Sequence, residues 1–514
     1  MGERRLKKVL VANRGEIACR VLAALRERGL ASVAVFSEAD RGALHTRLAD
    51  EAIAIGPPPA MESYLAVERI VGAARQAGAD AVHPGYGFLS ESEGFARAVE
   101  AAGLVWVGPR PETIELFGDK RRARDVAMKA GVPVVPGWEG EATDLAGAAR
   151  AAKRMGFPVL VKAALGGGGK GMTKVQREEE LAGALATAAR VARSAFGDDA
   201  VYLEKWIERP RHVEVQILGD GEGNVVHLFE RECSLQRRHQ KVVEESPSSA
   251  LDDGTRRALT EAAVSVTRAV RYRSSGTCEF LLAEGGRFFF LEVNARIQVE
   301  HPVTELVTGR DLVQAQLDVA ETGRLPFAQK EVHARGAAVE ARLYAEDPDA
   351  GFLPRTGDLL RVEFPSGPWI RVDAGVTSGD VVTSHYDPLL AKVIAYGADR
   401  ATAWRRLARA LEGTVVHGPT TNLAFLRELV AREDVIAGRY DVETIESKFL
   451  PERLARLEHG GEDLLAAAAA LAERFRLAGG GLAPVRNGGA KRSGGADPFD
   501  ALAGYRHPGL GGRA

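Results

Sequence analysis

The chain has 514 residues, of which 45% are hydrophobic and 27% charged, with a formal net charge of −2 and three cysteines. This composition is typical of a globular protein of about three domains, and its near-neutral charge argues against a nucleic-acid-binding protein. No apolar run reaches the roughly 20 residues of a membrane span. The first apolar stretch is interrupted at Asn13 and Arg14, which does not fit a secretory signal. Cysteines without paired spacing indicate a reducing compartment, so we expect a cytoplasmic protein.

The first part of the chain, residues 1–118, alternates short apolar strands with amphipathic helices, which predicts a parallel sheet covered by helices. We expect strands in KVLVANR, ASVAVFS, DAVHPGYG and LVWVG, and a helix in EIACRVLAALRERG that ends at Gly29. Polar and glycine residues follow two of these strands, at residues 13–16 and 83–87. Ligands bind beyond the carboxyl ends of parallel strands, so we expect part of a site there.

The remaining chain has a different pattern. Residues 119–335 contain strand signals separated by short turns, in VYLEKWI, HVEVQILGD, VVHLFERECSL and a hairpin with its turn at residues 284–286. This mixture predicts an α+β domain with antiparallel sheets. Residues 336–450 begin with the strand AAVEARLYAED and include the helices ATAWRRLARALEG and NLAFLRELVARE. Residues 451–514 contain the segment DLLAAAAALAERFRLAGG, whose composition strongly favours a helix, and then a glycine-rich linker.

A run of four glycines stands between two predicted strands, in PVLVKAALGGGGKGMTKV. Glycine lets backbone N–H groups turn towards an anion without interference from a Cβ atom. The spacing is not that of a P-loop, and a glycine run alone would most often be a mobile surface loop. The flanking strands and the preceding Lys162 favour a nucleotide lid instead, spanning about residues 135–205.

Two carboxylates and an amide occupy one face of the predicted hairpin. Glu279 and Glu292 lie on its two strands, and Asn294 follows Glu292 by two residues and therefore points to the same side. Oxygen ligands of this kind suit Mg²⁺ or Mn²⁺ bound to phosphates. The alternative is a pair of solvated glutamates, but the surrounding residues are apolar, and a buried carboxylate needs a cationic partner.

The alternation continues beyond this hairpin, which predicts a further strand with Arg296, Gln298 and Glu300 on one face. Arginine can hold a small planar anion such as bicarbonate, and a nearby carboxylate can take its proton. An exposed ladder of charges is the alternative. Residues 237–241 form a basic cluster, which we interpret as a site for phosphate and carbonate charge rather than a nucleic-acid patch or a solvated turn. Cys233 is expected to be a small buried hydrophobic residue rather than a nucleophile.

Together these motifs resemble the biotin carboxylase family, the ATP-grasp component of biotin-dependent carboxylases. The resemblance covers approximately residues 6–450. It rests on the order and chemistry of VLVANRGEIACR, DAVHPGYGFLSE, FGDK, FPVLVKAALGGGGKGM, LEKWIERPRHVEVQ, ERECSLQRRHQKVVEESPS, GTCEFL, LEVNARIQVEHPVTELVTG, ARLYAEDP, FLPRTG and YDPLLAKVI. Leu165 departs from the family, where another glycine is common, and lid motion is the property that this change puts in doubt.

The resemblance implies an α/β and α+β protein with an ATP-grasp fold. Its parts would be a Rossmann-like N-terminal domain at residues 1–118, an ATP-grasp domain with a mobile glycine-loop lid at residues 119–335, and a C-terminal biotin carboxylase domain at residues 336–450. A helix and a flexible tail would occupy residues 451–514.

The resemblance also assigns roles to matching positions. Contacts to ATP are implied for Lys120, Lys162, Gly166, Gly167, Gly168, Gly169, Met172, Glu204, Lys205, Ile207, His212, Gln236 and His239. Two Mg²⁺ or Mn²⁺ ions would be held by Glu279, Glu292 and Asn294. Bicarbonate would be held by Lys241, Arg296, Gln298 and Val299, with Glu300 as the general base. Arg342 would stabilise the biotin anion, and Tyr86 would lie near the biotin ring.

The implied reaction is ATP-dependent carboxylation of biotin through carboxyphosphate, the first half-reaction of an acyl-CoA carboxylase of the acetyl- or propionyl-CoA type. No Met-Lys-Met stretch of the kind that carries biotin is found, so biotin would be borne by a separate carrier protein or by a downstream domain. The other expected partners are a carboxyltransferase subunit and a second copy of the chain, with no membrane or nucleic acid. Two alternatives stay open: another ATP-grasp carboxylate ligase, and a non-catalytic scaffold subunit of a carboxylase complex.

Overall fold

The computed structural model describes residues 5–141, 143–163, 173–196 and 200–457. The chain divides into two units, Met1–Glu452 and Arg453–Ala514, and the elements that form the sheets all belong to the first. The helix and linker expected in the tail lie outside the described residues. Within the described ranges, no helix is both long and apolar enough to cross a membrane.

A five-stranded parallel sheet is formed by the first part of the chain, as predicted. Its strands are β1 (Lys8–Val11), β2 (Ala31–Ser37), β3 (Glu51–Gly56), β4 (Ala81–His83) and β5 (Val105–Trp106), in the order β3-β2-β1-β4-β5. Strand β3 was not predicted. It is an edge strand in which only Ile55 is fully buried, so its sequence lacks the apolar run that marks the central strands.

Five helices of the described chain follow the strands of this sheet: α1 (Gly15–Arg28), α2 (Leu44–Leu48), α3 (Val67–Ala77), α4 (Glu93–Ala101) and α5 (Pro111–Gly118). The next helix, α6 (Lys120–Lys129), packs instead against strand β14 (Phe288–Asn294) of the eight-stranded sheet described below. Helix α1 buries Ile17, Val21 and Leu25 at a spacing of four residues, which places them on one face against the sheet. It ends at Gly29, whose φ of 72° is the left-handed conformation that glycine adopts without a Cβ clash. The predicted helix end is therefore confirmed.

A four-stranded antiparallel sheet carries the two strands that flank the glycine loop. Its strands are β6 (Gly137–Glu141), β7 (Val159–Ala163), β8 (Thr173–Val175) and β9 (Ala200–Lys205), in the order β6-β9-β7-β8. Two helices lie between these strands in the chain, α7 (Leu145–Met155) and α8 (Glu178–Phe196). Both strands predicted to flank the glycine loop are present, and they pair with each other. The glycine loop and Met172 lie outside the described residues, so the implied ATP contacts of residues 166–169 and 172 stay predictions.

The largest sheet has eight antiparallel strands in the order β14-β13-β10-β11-β12-β15-β22-β20. Its first five strands in the chain are β10 (Arg211–Asp220), β11 (Val225–Arg237), β12 (Gln240–Ser246), β13 (Arg273–Leu282) and β14 (Phe288–Asn294). The next strands along the chain are β15 (Ala337–Tyr344), β16 (Glu346–Asp347), β17 (Leu353–Pro354), β18 (Gly357–Asp358), β19 (Arg361–Glu363), β20 (Ile370–Ala374), β21 (Val381–Val382), β22 (Leu389–Gly397) and β23 (Val415–His417). Because β12 pairs with β15, one sheet crosses the division predicted near residue 336.

The remaining helices are α9 (Asp253–Ala269), α10 (His301–Thr308), α11 (Leu312–Thr322), α12 (Arg400–Gly413), α13 (Leu423–Val430) and α14 (Glu433–Ile436). Helix α9 begins where the Asp252 carboxylate accepts a hydrogen bond from the Thr255 N–H, which satisfies a backbone donor of the first turn. Helices α12 and α13 cover the strands of the last part of the chain, with Trp404, Leu407 and Phe425 in that core. The predicted helices in this part are confirmed.

The predicted hairpin is confirmed, but its continuation is wrong. Glu279 pairs with Glu292 across β13 and β14, and the turn lies at Glu284–Gly286. Strand β14 ends at Asn294, and residues 295–300 form a loop that leads into α10. Pro302 stands in the first turn of α10, where its fixed φ favours the start of a helix and not the continuation of a strand. The alternating polar residues therefore converge from a loop.

Candidate active site

A cavity of about 1820 Å³ lies among the ends of the parallel strands, the four-stranded sheet and one face of the eight-stranded sheet. The structure brings together at its wall these residues singled out from the sequence: Tyr86, Lys120, Lys162, Glu204, Lys205, Ile207, His212, Gln236, His239, Lys241, Glu279, Glu292, Asn294, Arg296, Gln298, Val299 and Arg342. Glu300 is fully buried directly behind this wall. Residues far apart in the sequence thus form one site.

Lys241 forms hydrogen bonds with three buried carboxylates of the site. Its Nζ donates to Glu214 Oε2 at 2.5 Å, to Glu279 Oε1 at 2.9 Å and to Glu300 Oε1 at 2.7 Å. Burial alone would lower the pKa of Lys241, but these carboxylates outweigh it and hold the pKa well above its usual value. The ammonium therefore stays charged and points at the cavity side of the sheet.

Glu300 is held between two cations. Besides Lys241, Arg342 donates from Nη2 to Glu300 Oε2 at 2.8 Å, and its Nε lies 2.6 Å from Glu244 Oε1. Burial raises the pKa of Glu300, but Lys241 and Arg342 overcome this and keep the pKa well below its usual range. The carboxylate is therefore ionised, and its proton affinity depends on where these two cations are engaged.

The basic cluster predicted at residues 237–241 is divided by a tight hairpin turn. Arg238 and His239 have φ values of 46° and 66°, the left-handed pair that a two-residue turn requires. Strand β12 then begins at Gln240, a strand that the sequence did not suggest. Arg237 is buried over the Phe352 ring and does not line the cavity, whereas His239 and Lys241 do. Left-handed residues other than glycine are uncommon and often mark functional positions.

The residues predicted to bind metal ions lie together, as the predicted hairpin requires. Glu279 and Glu292 are cross-strand partners, Asn294 Nδ2 donates to Glu279 Oε1 at 2.8 Å, and Lys120 Nζ is 3.0 Å from Glu292 Oε2. Two carboxylates and an amide oxygen at a polar cavity fit Mg²⁺ or Mn²⁺, because both ions prefer oxygen ligands. The neighbouring lysines balance the negative charge of this set.

A second group of possible ligands is deeper and does not fit such an ion. Glu214, Cys233 and Glu300 lie close together, but Arg231 Nε donates to Glu214 Oε1 at 2.5 Å and Lys241 contacts both carboxylates. Burial raises the pKa of the Cys233 thiol well above its usual value. The thiol is therefore protonated, and Cys233 is the buried, unreactive residue that the sequence indicated.

The described residues expected to contact ATP come from α6, β7, β9, β10 and β11, from the loop after β9 and from the turn before β12. Lys162 Nζ donates to Glu204 Oε2 at 2.6 Å and lies 4.9 Å from the centre of the Tyr202 ring. The ammonium of Lys205 is turned away to the Gly156 carbonyl oxygen at 2.8 Å. Lys205 therefore borders the cavity, but its ammonium is engaged by a backbone carbonyl oxygen.

The residues expected to hold bicarbonate are linked to one another. Arg296 donates from Nη1 to Gln298 Oε1 at 2.6 Å, from Nη2 to Asn294 Oδ1 at 2.9 Å and from Nε to Glu91 Oε2 at 2.9 Å. Gln298 Nε2 donates in turn to Glu279 Oε1 at 3.0 Å. This network fixes the guanidinium beside the metal-binding carboxylates, where it can receive a small anion.

The side of the cavity where biotin is expected is formed by the strand-end loops of the parallel sheet. The Tyr86 hydroxyl donates to Glu16 Oε1, and Asn13 Nδ2 donates to the carbonyl oxygens of Pro84 at 2.7 Å and of Tyr86 at 2.8 Å. Asn13 thus ties the loop after β1 to the loop after β4. Both loops lie at the edge of the sheet where ligands were expected.

Three domain models match most of the chain. Residues 5–114 match the biotin carboxylase N-terminal domain, residues 119–328 the ATP-binding domain of the carbamoyl-phosphate synthase L chain, and residues 340–447 the biotin carboxylase C-terminal domain. The propionyl-CoA carboxylase alpha chain of Ruegeria pomeroyi is 44% identical over 491 residues, which are 92% of this chain and 72% of that protein. The chain belongs to the biotin carboxylase family. Members of the family are ATP-dependent ligases, and the family assignment made from the motifs is confirmed.

Other relatives are longer than this chain. The mitochondrial methylcrotonoyl-CoA carboxylase subunit alpha of Dictyostelium discoideum is 45% identical over 447 residues, and the match covers 87% of this chain and 63% of that subunit. The chain thus spans about three fifths of the length of that relative.

Solved biotin carboxylases share the fold. The biotin carboxylase domain dimer of Hydrogenobacter thermophilus 2-oxoglutarate carboxylase, a complex with MgADP, ADP and bicarbonate, has a TM-score of 0.80 and 44% identity, covering 86% of this chain and 98% of that one. Biotin carboxylase of Campylobacter jejuni, in a β-γ-ATP complex, has a TM-score of 0.81 and 40% identity, covering 85% and 98%. The predicted ATP-grasp fold class is confirmed.

Several residues of this biotin carboxylase site escaped the sequence analysis. Glu214 and Arg231 form a fully buried ion pair beneath Lys241, and Lys392 contacts the loop that carries Glu300. A signal for them existed: Glu214 carries a charge within the buried strand HVEVQIL, and Lys392 interrupts the otherwise apolar strand LLAKVIAY. A charge in a buried strand requires a partner, although the sequence alone does not say which one.

Proposed function

We propose that this chain carboxylates biotin on a biotin carboxyl carrier protein or domain, using ATP and bicarbonate, as the first half-reaction of an acyl-CoA carboxylase. The observation that carries the proposal is the buried Glu300 carboxylate between Lys241 and Arg342, immediately behind Gln298 and Val299 at the cavity wall. This arrangement pairs a proton acceptor with cations that can receive carbonate, phosphate and a biotin anion.

In the first step, bicarbonate held by Arg296, Gln298 and Lys241 gives its proton to Glu300. The carbonate oxygen attacks the γ-phosphorus of ATP, the bond to ADP breaks, and carboxyphosphate forms. The low pKa of Glu300 is compatible with this role, because Lys241 and Arg342 lower it only while they contact the carboxylate. When these cations engage the substrate anions, the proton affinity of Glu300 increases.

In the second step, carboxyphosphate breaks down to CO₂ and phosphate, and the phosphate takes the proton from biotin N1′. Arg342 is placed to stabilise the negative charge that then develops on biotin, and the biotin anion attacks CO₂ to form N1′-carboxybiotin. Tyr86, on the opposite wall, would position the biotin ring. Divalent ions held by Glu279, Glu292 and Asn294 would supply charge neutralisation for the ATP phosphates.

The partners and the acceptor are part of the same proposal. The named relatives act on methylcrotonoyl-CoA or propionyl-CoA, which supports an acyl-CoA carboxylase; an acetyl- or propionyl-CoA acceptor stays a prediction. We propose a carboxyltransferase subunit as a partner, and homodimerisation is supported by the dimer described for the Hydrogenobacter domain. The division into domains at residues 118, 335 and 450 stays a proposal, as does a cytoplasmic location, which the three free, buried cysteines support.

The first test is ADP release by the purified chain with Mg²⁺, ATP, bicarbonate and free biotin. We expect turnover that requires bicarbonate and is stimulated by biotin, and we expect it to fall at least about a hundredfold in Glu300→Gln, which cannot accept the proton. Glu230→Gln is the matched control, because Glu230 is equally buried but its ion-pair partner, Arg256, does not line the cavity, whereas Lys241 and Arg342 do.

Other outcomes would identify the alternatives. ATP cleavage that depends on an amino-acid acceptor and ignores biotin would indicate another carboxylate ligase. ATP binding without any cleavage would indicate a scaffold subunit. A Glu300→Gln variant with wild-type turnover would contradict the assigned base.

A further inference from the structure

Lys392 is a buried lysine that the reaction described above does not use. It lies on β22 and is 0% exposed, and every other lysine in the part of the chain that the structure describes is more exposed. A buried ammonium is costly unless anions and hydrogen-bond acceptors surround it. Its contacts therefore indicate what this position accomplishes.

The ammonium joins three segments that are distant in the sequence. Lys392 Nζ donates to the Val299 carbonyl oxygen at 2.8 Å and lies 3.1 Å from Glu16 Oε2 on α1 and 3.6 Å from Asp373 Oδ2 on β20. Burial lowers the pKa of Lys392, but Glu16 and Asp373 outweigh it and raise the pKa above its usual value. The side chain is thus a permanent cation at the meeting point of all three parts of the chain.

The Val299 carbonyl belongs to the turn that presents the bicarbonate-binding residues. Gln298 and Glu300 flank it, and the carbonyl oxygen of Gln298 accepts a hydrogen bond from His301 Nδ1 at 2.7 Å. Regular strand hydrogen bonding is absent from residues 295–300 among the described elements, so the turn depends on such side-chain donors. Lys392 supplies the donor at its centre.

The other arm of Lys392 reaches the biotin side. Glu16 contacts Lys392 through Oε2, and its Oε1 accepts the hydrogen bond from the Tyr86 hydroxyl. A continuous chain of contacts therefore runs from Tyr86 through Glu16 and Lys392 to Val299. Its two ends are the residue expected beside the biotin ring and the turn expected to hold bicarbonate.

We propose that Lys392 is a positioning residue which, with Glu16, fixes the Val299 turn relative to Tyr86, so that bicarbonate and biotin are held in register. The expected kinetic effect rests on the proposed function. The supporting contacts of Lys392 with Glu16 and Val299, called the strut below, do not depend on that function. Misplacing a reacting group by about 1 Å can lower the rate on the order of a hundredfold. Loss of the contacts of Lys392 is therefore expected to slow the reaction.

The kinetic test compares Lys392→Met with the wild type and with Arg400→Met. Arg400 forms an ion pair with Glu245 away from the cavity and serves as the control for loss of a partly buried cation. For Lys392→Met we expect the KM for bicarbonate to rise about tenfold or more and biotin-dependent kcat to fall, with the KM for ATP unchanged. An unchanged KM for bicarbonate, or equal changes in all parameters, would overturn the proposal.

A second measurement does not need activity. Hydrogen–deuterium exchange should increase in peptides covering residues 295–305 and the Tyr86 loop in Lys392→Met, but not in Arg400→Met. Lys392→Arg, which keeps the charge and a donor, should restore part of the protection, and it also serves if the methionine variant does not fold. Unchanged exchange in these peptides would overturn the strut even if the wild type proved inactive, whereas an inactive wild type with increased exchange would overturn only the proposed function.

Discussion

The two walls of the cavity are built on different principles. The wall from the parallel sheet consists of loops after β1 and β4, joined by neutral hydrogen bonds from Asn13 to the backbone. The wall from the antiparallel sheet consists largely of side chains within strands, and it packs Lys241 and Arg342 against several buried carboxylates. One wall is arranged by backbone shape, the other mainly by strand register and charge.

This difference predicts where substitutions are most severe. We call the wall from the antiparallel sheet the charged wall and the wall from the parallel sheet the loop wall. On the charged wall, removal of one ion leaves its partners buried and unpaired, which costs about 3–5 kcal/mol of stability. On the loop wall, loss of one hydrogen bond costs only about 0.5–1.5 kcal/mol of stability. We therefore expect the charged wall to control both chemistry and stability, and the loop wall to control mainly the placement of the acceptor.

The largest effect is expected from Lys241→Met. It removes the cation that Glu214, Glu279 and Glu300 share. ADP release should fall about a thousandfold, because a charge that stabilises the reacting anions is lost, and the free energy of unfolding in urea should fall by about 3–5 kcal/mol. Lys8→Met, which removes a partly exposed ion pair with Glu51, is the control and should change little. If both variants behaved alike, the contrast between charged wall and periphery would be wrong.

A smaller and more selective effect is expected from Arg342→Lys. The guanidinium contacts Glu244 and Glu300 through different nitrogens, which one ammonium cannot reproduce. Biotin-dependent turnover should fall about a hundredfold, while bicarbonate-dependent ATP cleavage without biotin should fall much less. The measurement is the ratio of these two rates in the variant and the wild type. An unchanged ratio would contradict a role for Arg342 that is specific to the biotin anion.

Much of the fold followed from local patterns in the sequence. The hairpin of β13 and β14 was predictable because apolar strands flank Glu284, Gly285 and Gly286, and α1 because its apolar spacing ends at Gly29. Strand β12 was missed, since its turn is made by Arg238 and His239, which carry no usual turn signal. The pairing of β12 with β15 is a long-range contact, so no local pattern indicates it.

The site was predictable in its chemistry but less so in its geometry. Charged residues in a strong motif indicated Glu279, Glu292 and Arg296. The register of β13 and β14 pairs the two glutamates, and the loop after β14 brings Arg296 to the same cavity. The burial of Glu300 behind the wall was not predicted, because the motif suggested a continuing strand where the structure has a loop. The supporting role of Lys392 depends on contacts with residues about 90 and 380 positions away, which only the fold brings close.

The smallest effect at neutral pH is expected at the loop wall, where a loss of stability appears only as the pH falls. His83 ends β4, is fully buried, accepts the Gly85 N–H through Nδ1 at 3.0 Å and contacts Gln316 Oε1 through Nε2 at 3.3 Å. Burial lowers the pKa of His83 from 6.5 to about 4. Above pH 6.5 both the folded and unfolded states are neutral at this position. As the pH falls from 6.5 to about 4, the unfolded state takes the proton first, so stability is lost, by up to about 3 kcal/mol.

His83→Asn keeps an acceptor near the Gly85 N–H but does not titrate, so urea unfolding from pH 7 to pH 4 should show a shallower loss of stability than in the wild type. Identical slopes would mean that other titratable groups determine the acid sensitivity and that His83 does not contribute to it.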